Sequence, residues 1–252
     1  YGRATGGVIS VVTNSGSISA DHGAVGLAAG SRVAVDTSGA GLVRFSVDAA
    51  AVQAAVSNSG TITAAGGQVA LLARSMGDAM ATVVNQSGVI RADSAVEHNG
   101  MIVLSGGATG VTRLSGTLAA VGAGGQSGGS VQVLGDKVEV TGTARIDASG
   151  QTGGGTILVG GDWQGRNPDI ANATRTQVGK GAVLLADASG HGDGGKVVIW
   201  ADGDTRQLGS ISARGGEQGG NGGMVEVSGK QLLDLRGSID VAAPLGRGGK
   251  VL

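Results

Sequence analysis

A short phrase returns along the whole chain at a nearly constant interval. It consists of a small residue, glycine, any residue, an aliphatic residue, any residue and alanine, as in NSGTITA at 58–64 and QSGVIRA at 86–92. Its aliphatic anchors are separated by 44, 28, 28, 28, 38, 27 and 28 residues. A period of this length indicates a stack of identical supersecondary units. The anchors, which we predict to form one column of the core, are Ile18, Ile62, Ile90, Leu118, Ile146, Leu184, Ile211 and Ile239.

Further apolar segments follow the anchors in each repeat. One comes after a glycine-rich turn, as in GQVALLA at 67–73 and GKVVIWA at 195–201, and a weaker one appears at Val138–Val140. Apolar residues alternate in them with small or polar residues, which is the pattern of a strand with one buried face. Three short strands per repeat of about 28 residues describe one coil of a parallel β-helix, whose core forms only when coils stack. The sequence therefore predicts an all-β chain in which residues 1–252 form a single β-helix segment.

Composition agrees with a thin, aliphatic core. Glycine supplies 52 of the 252 residues and aromatic residues only 2%. Large rings therefore cannot fill the interior, and glycine suits tight corners that need a positive φ. Chains rich in glycine and serine are often disordered. Here the hydrophobic fraction is 40% and is phased with the repeat, which favours a packed solenoid.

Two stretches interrupt the repeat, and we interpret both as small helical or loop insertions. The first, 37–57, contains the alanine-rich run DAAAVQAAVS, for which we predict a helix with Asp48 as its N-cap. A second helical turn is predicted at Met76–Val83. The other insertion is 160–177. Loops on the flank of a solenoid usually carry binding variation, so we predict a contact loop formed by Trp163, Arg166, Asn167 and Asp169.

Charge and cysteine content exclude several classes of function. The chain has 18 basic and 19 acidic residues, no basic patch and no cysteine. We therefore predict no nucleic-acid partner and no disulfide. A chain without cysteine also suits passage through a membrane pore in an unfolded state. No apolar run reaches the length of about 18 residues that a membrane-spanning helix needs. We predict no cofactor and no metal site.

Glycine-rich segments match two known motifs only superficially. Gly190–Gly195 fits G-x-G-x-x-G, but a strand-like segment follows where the motif needs a helix. Gly125–Gly129 fits G-x-S-x-G, but no helix is expected behind Ser127, and the three histidines, His22, His98 and His191, are scattered among turns. His191 and Asp193 would supply only two metal ligands. We interpret these segments as turns and expect no catalytic residues.

Paired carboxylates are the arrangement that would make such a chain an enzyme. Asp147 and Asp187 both stand in the string DASG, and Asp240 has a similar phase. Stacked on adjacent coils, Asp147 and Asp187 would lie about 5 Å apart, as in polysaccharide-cleaving sites. No Arg or Lys recurs at that phase, so we favour solvent-facing turn residues.

Asparagine recurs near the start of the repeated phrase. Asn14, Asn58 and Asn85 precede or open it in successive units, and we expect their amides to bond from coil to coil. Asn85 and Asn172 also begin N-x-S/T sequons, which leaves glycosylation at either residue open.

The chain resembles the filamentous-haemagglutinin-like adhesins, which are large exoproteins of bacterial two-partner secretion. Matching segments include VQVLGDKVEVTGTARIDASG, GGGTILVGGDWQGRNP and GDGGKVVIWADGDTRQLGSISARGG, and residues 135–252 match most specifically. The resemblance implies a right-handed parallel β-helix that is secreted by a Gram-negative bacterium and displayed at its cell surface. Residues 1–36 resemble the distal part of the family's secretion module. No catalytic residues carry over.

These observations predict a structural and adhesive function without enzymatic activity. The chain would be the shaft of a filamentous surface protein that mediates attachment or forms a filament or matrix. The implied partners are the remainder of the same polypeptide, an outer-membrane transporter during secretion, surface receptors or glycans, and a further copy of the chain. The alternative is a glycan-binding or polysaccharide-cleaving β-helix. Because neither end carries a cap against exposed strand edges, we expect a fragment of a longer chain.

Overall fold

Each repeat forms one coil of three short strands, and each strand pairs in parallel with the equivalent strand of the neighbouring coil. The computed structural model describes residues 9–37, 43–76, 82–94, 100–122 and 124–252. Over these residues the coils stack into a right-handed parallel β-helix with three sheets of eight strands each. The predicted fold class is confirmed. No membrane-spanning helix is found among the described residues, where the one helical element is a single 3-10 turn.

The strands of each sheet follow one another in coil order. The first sheet contains β1 (Ile9–Asn14), β6 (Gln53–Asn58), β9 (Thr82–Gln86), β12 (Val111–Leu114), β15 (Lys137–Val140), β18 (Arg175–Val178), β21 (Asp204–Gln207) and β24 (Leu232–Leu235). The second contains β2 (Ser17–Ser19), β7 (Thr61–Thr63), β10 (Val89–Arg91), β13 (Thr117–Ala119), β16 (Arg145–Asp147), β19 (Val183–Leu185), β22 (Ser210–Ser212) and β25 (Ser238–Asp240). The third contains β3 (Ala24–Ala29), β8 (Gln68–Ala73), β11 (Met101–Ser105), β14 (Ser130–Leu134), β17 (Thr156–Val159), β20 (Lys196–Ala201), β23 (Met224–Gly229) and β26 (Lys250–Val251).

All eight predicted anchors lie in the second sheet, where each is the central residue of its strand and pairs with the next anchor. The six internal anchors are at most 2% exposed, while Ile18 and Ile239 in the end coils are half-buried. Burying such a side chain contributes about 1.5–3 kcal/mol. Each coil is therefore stabilised mainly by its neighbours, as in other solenoids.

Glycine forms its own column at the corner before the third sheet. A Cβ atom on Gly155, Gly195 or Gly223 would lie 2.1 Å from the carbonyl oxygen of the corner glycine one coil earlier. No side chain can be accommodated at that distance, so the corner can stack only with glycine. This close approach explains why a glycine precedes the apolar segment in every repeat.

The first insertion is a β-hairpin on the outside of the third sheet. Strands β4 (Arg32–Asp36) and β5 (Arg44–Ala49) pair in an antiparallel two-stranded sheet. The ring of Phe45 packs on Gly26, where a Cβ atom would lie only 2.5 Å from the ring. Hairpin and β-helix therefore meet through a glycine that leaves room for the ring.

The predicted helix at Asp48–Ser57 is wrong. Its first residues end β5, and the segment from Gln53 onward is strand β6 of the first sheet. Ala54 and Val56 are buried at alternate positions of β6. Because the strand continues the ladder of β1, tertiary pairing overrides the helix propensity of alanine. The first insertion therefore ends before residue 53, not at 57.

Most of the second predicted helical turn, Met76–Val83, cannot be assessed, because residues 77–81 lie outside the described residues. The chain is in strand β9 from Thr82 onward.

The second insertion begins at Gly160 after β17 and contains the 3-10 turn η1 (Trp163–Gly165). Its predicted end at residue 177 is too late, because Arg175–Val178 is strand β18 and Thr176 is buried in the interior. We call residues 161–174 the flank loop.

The buried column can be tested at Ile62, which is stacked between Ile18 and Ile90. Ile62→Asp should unfold the neighbouring coils at neutral pH, because a buried carboxylate without a partner costs several kcal/mol. Thr61→Asp changes the exposed neighbouring position and should melt close to wild type. Thermal unfolding followed by circular dichroism measures both variants, and equal melting temperatures would show that this column does not form the core.

Candidate functional site

The flank loop covers the outer surface of the third sheet through a small apolar cluster. Leu158 and Val198 are paired on β17 and β20, and their side chains cluster with Trp200 outside the main core. These three residues are at most 7% exposed. Trp163 and Ile170 of the flank loop pack against them. The flank loop is therefore packed against the third sheet.

Asp162 fixes the start of the flank loop. Its carboxylate accepts hydrogen bonds from the backbone N–H of Trp163 at 2.7 Å, from Asn167 Nδ2 at 2.9 Å and from Lys196 Nζ at 2.6 Å. Burial raises the pKa of Asp162, but the hydrogen bonds from Lys196, Asn167 and Trp163 outweigh it and hold the pKa below the ordinary value of 3.8. The ionised form is therefore the one that holds the loop.

Asp202 fixes the end of the flank loop in the same way. It accepts hydrogen bonds from Asn172 Nδ2 at 3.2 Å and from Trp200 Nε1 at 3.0 Å, and it pairs with Lys230 Nζ at 2.8 Å. The hydrogen bond from Lys230 lowers the pKa of Asp202 below 3.8 despite partial burial. Lys230 Nζ also lies 5.8 Å from the centroid of the Trp200 ring, within the range of a cation–π contact.

A third polar contact ties the loop to a later coil. Glu226 on β23 is 1% exposed, although it lies on the outside of the third sheet. Its carboxylate accepts hydrogen bonds from the backbone N–H of Gln164 at 2.8 Å and from Ser228 Oγ at 3.1 Å. Gln164 has a φ of 54°, which is rare for a residue with a side chain. The flank loop is thus attached to the coils of β17, β20 and β23.

The four predicted contact residues have different surroundings. Trp163 packs on the apolar cluster. Asn167 is engaged within the loop, where it donates to Asp162 and accepts from the backbone N–H of Asp169 at 3.0 Å. Arg166 and Asp169 are exposed, and no hydrogen bond or ion pair joins their charged groups to the rest of the described chain. Arg166 and Asp169 are therefore the side chains of this set that could contact a partner.

The stacked carboxylate pair is contradicted. Asp147 pairs with Leu185 in the next coil, so Asp187 lies two residues beyond that position. Asp147 is held by Arg145 at 2.7 Å, whereas Asp187 accepts a hydrogen bond from Ser212 Oγ at 2.6 Å. The anchors set the register, and the string DASG begins at a different distance from each anchor.

The interior amide ladder exists, but its third member was predicted wrongly. Asn14 Nδ2 donates to Asn58 Oδ1 at 2.8 Å, and Asn58 Nδ2 donates to Gln86 Oε1 at 2.8 Å. Gln86, not Asn85, pairs with Asn58 in the β6–β9 register. Asn85 is shifted by one residue and therefore points to the opposite face of the sheet.

The two sequons differ in accessibility. Asn85 is half-exposed on the outer face of the first sheet. Asn172 Nδ2 donates to the carbonyl oxygen of Gly165 at 3.0 Å as well as to Asp202. A glycan on Asn172 would remove contacts that hold the flank loop.

The glycine-rich motifs lie in turns at the corners of the coils. Strand β20 begins directly after Gly190–Gly195, as expected for a turn. Ser127 Oγ lies 3.2 Å from Thr152 Oγ1 in the next coil. The described residues contain no group of three or more potential metal ligands.

The outer face of the first sheet carries a feature that the sequence analysis missed. Ion pairs link successive strands there: Arg113–Glu139 at 3.6 Å, Arg175–Asp204 at 3.3 Å and Arg206–Asp234 at 3.1 Å. A depression of about 170 Å³ lies between Arg175, Gln177, Asp204 and Arg206. The sequence signal for these ion pairs is the alternation of charge at the outward positions of successive coils. That alternation can be recognised only when the register of the coils is known. We call the outward residues of β12, β15, β18, β21 and β24 the charged face.

A similar solved structure is the HMW1 secretion domain from Haemophilus influenzae. The two chains are 28% identical with a TM-score of 0.74, and the match covers 95% of this chain and 60% of that chain. This chain therefore spans 60% of the length of that neighbour. No protein family and no curated protein matches the sequence. The sequence alone indicated a resemblance to a secretion module only in residues 1–36. The structural similarity extends well beyond those residues.

The flank loop should be removable without loss of the β-helix. The Ala173 N–H donates to the Gly160 carbonyl at 2.6 Å, so a two-glycine linker can replace residues 161–172. The β signal in circular dichroism should persist, whereas Trp200 should become exposed and its fluorescence should shift to longer wavelength. The melting temperature should fall by about 2–4 °C for each kcal/mol of lost packing. Trp163→Phe in the intact chain isolates the Trp200 signal as the control. Loss of the β signal would mean that the loop is part of the core.

Acid should loosen the flank loop before it unfolds the β-helix. The lowered pKa values of Asp162 and Asp202 mean that their stabilisation is complete above the unfolded-state pKa and is lost as pH falls through the folded-state pKa. Asp162→Asn should destabilise the chain at pH 6 by about 1–2 kcal/mol, and the difference from wild type should vanish toward pH 2. Denaturant unfolding at several pH values measures this. A difference that is independent of pH would contradict the assignment.

Proposed function

We propose that this chain is a structural segment of a secreted exoprotein of a Gram-negative bacterium, exported by two-partner secretion through an outer-membrane transporter. The observation that carries the proposal is the likeness to a secretion domain over 95% of the chain at 28% identity. That likeness includes the β-helix and not only its N-terminal coils. In this proposal the β-helix forms part of an adhesive shaft at the cell surface.

The physical properties of the chain suit export and extracellular folding. Without cysteine, no disulfide can form before the chain has crossed the membrane. Each coil pairs chiefly with its immediate neighbours, so folding can proceed coil by coil as the chain emerges. The stacked coils then hold surface loops at fixed positions on a stiff scaffold.

Adhesion would depend on exposed polar side chains rather than on a deep cavity. Arg166 and Asp169 on the flank loop carry charged groups that no neighbour among the described residues engages. A receptor or glycan at the cell surface of a host or another bacterium is the expected partner. The alternative, a polysaccharide-cleaving β-helix, needs carboxylates and a cation that converge in one groove. Asp147 and Asp187 do not form such a group, because Asp147 pairs with Arg145 and Asp187 with Ser212. This arrangement favours contact over cleavage.

Secretion and adhesion can be tested separately. The full-length exoprotein is expressed in a Gram-negative host with and without the transporter from the same organism. Transporter-dependent appearance of the chain in the medium or at the surface is the expected result, and export that does not depend on the transporter would refute the secretion proposal.

Adhesion is then measured with surface-bound cells and a glycan array. The double variant Arg166→Ala, Asp169→Ala should reduce binding severalfold while secretion is unchanged. Glu217→Ala with Gln218→Ala, two exposed residues in another turn, is the matched control. Equal binding by both variants would exclude the flank loop as the adhesive contact, and release of shortened glycans would establish the cleaving alternative.

A further inference from the structure

The charged face consists of two parallel columns that run across five consecutive coils. The first column contains Val111, Lys137, Arg175, Asp204 and Leu232. The second contains Arg113, Glu139, Gln177, Arg206 and Asp234.

The charges of the second column have a particular symmetry. In coil order they are positive, negative, neutral, positive and negative. Reading the column backwards inverts every charge and leaves Gln177 in the centre. The column is therefore complementary to its own reverse.

We propose that the charged face binds the charged face of a second copy of this chain, with the two β-helix axes antiparallel and the twofold axis at Gln177. Such a contact is isologous, because the same patch serves on both copies. Arg113 then faces Asp234 of the second copy, and Glu139 faces Arg206 of the second copy.

The first column supports the same arrangement independently. Rotation about the same axis places Lys137 opposite Asp204 of the second copy and Val111 opposite Leu232 of the second copy. Lys137 has no ion pair within the described chain, and Leu232 is 54% exposed. Among the charged residues of the two columns, only Arg175 meets its own copy at the axis, and Asp204 lies 3.3 Å from it in the same chain.

Other registers place like charges together. With the axis at Glu139 or at Arg206, that residue faces its own copy. Moving the axis half a coil toward β15 brings Arg113 against Arg206, and moving it half a coil toward β24 brings Glu139 against Asp234. Parallel axes set each charge against itself where a column faces its own copy. With a twofold axis between the columns, parallel axes pair Lys137 with Glu139 and Asp204 with Arg206, but they set Val111 against Arg113 and Leu232 against Asp234. Like charges in contact disfavour an arrangement. The antiparallel register centred on Gln177 forms three kinds of opposite-charge pair, against two in the parallel arrangement, and it alone of these two places the apolar residues Val111 and Leu232 together.

The contact is small and polar, so the association should be weak and sensitive to salt. Five coils at about 4.8 Å and two columns about 7 Å apart cover only a few hundred Å² on each copy. Stable interfaces bury about 800 Å² on each partner. Exposed charge pairs are also screened within about 10 Å at 0.1 M salt.

Charge-reversal variants test the pairing. Arg113→Glu with Arg206→Glu makes the second column wholly acidic, and Glu139→Lys with Asp234→Lys makes it wholly basic. Sedimentation velocity at low salt and at concentrations up to about 500 µM, chosen for so small an interface, should show self-association of wild type. Each variant alone should lose it, and an equimolar mixture should regain it. Arg91→Glu with Arg145→Glu reverses two ion-paired arginines of the second sheet and serves as the control that keeps self-association.

Cysteine cross-linking tests the register, and it remains decisive where a charge variant fails to fold. The chain has no cysteine of its own, so Gln177→Cys introduces a single thiol at the proposed axis. A bifunctional thiol reagent that spans about 10 Å, the distance between facing sheets, should cross-link Gln177→Cys at least about tenfold faster than Ser57→Cys, which lies in β6 beyond the proposed contact, and salt should abolish the difference. Monomeric wild type at low salt, a mixture that does not associate, or equal cross-linking at both positions would overturn the proposal.

Discussion

Parallel pairing of equivalent positions in successive coils is the interaction on which the rest of this structure depends. Because the pairing places equivalent positions above one another, each position becomes a column whose side chains contact their neighbours in the coils above and below. Aliphatic anchors fill the interior, glycine fills the corner before the third sheet, and amides bond from Asn14 to Gln86. A side chain that does not fit at one position disturbs the packing of the coils on both sides of it. This constraint explains why the repeat is so regular.

Both insertions leave the coil beside the third sheet and fold back over its outer face. The hairpin places Phe45 over Gly26, and the flank loop covers Leu158, Val198 and Trp200. Outward apolar residues on that sheet are thereby withdrawn from water, which contributes about 25 cal/mol for each Å² buried. The outer face of the first sheet carries ion pairs in place of such a cover, and this division separates a packed side from a side open to partners.

The sequence was sufficient for features that repeat and insufficient for those that do not. The anchors could be predicted because period and polarity agree in every coil. The helix predicted at Asp48–Ser57 failed because pairing with β1 overrides the helix propensity of alanine. Asn85 was misplaced because a shift of one residue moves a strand side chain to the other face. The contacts of Asp162 with Lys196 and of Gln164 with Glu226 join residues 34 and 62 positions apart, and no local pattern predicts them.

The ion pairs on the charged face contribute little to the stability of the fold. Arg113, Arg175 and Arg206 are each about half or more exposed, and exposed pairs contribute only about 0–1 kcal/mol. Uncharged polar residues at these positions would therefore change the stability of the single chain little. Alternating charge does have a consequence between chains, because it penalises stacking in which a charge faces its own copy and favours the antiparallel register that forms the most opposite-charge pairs. In the proposed dimer, the pattern would therefore act on contacts between molecules more than on the folding of the single β-helix.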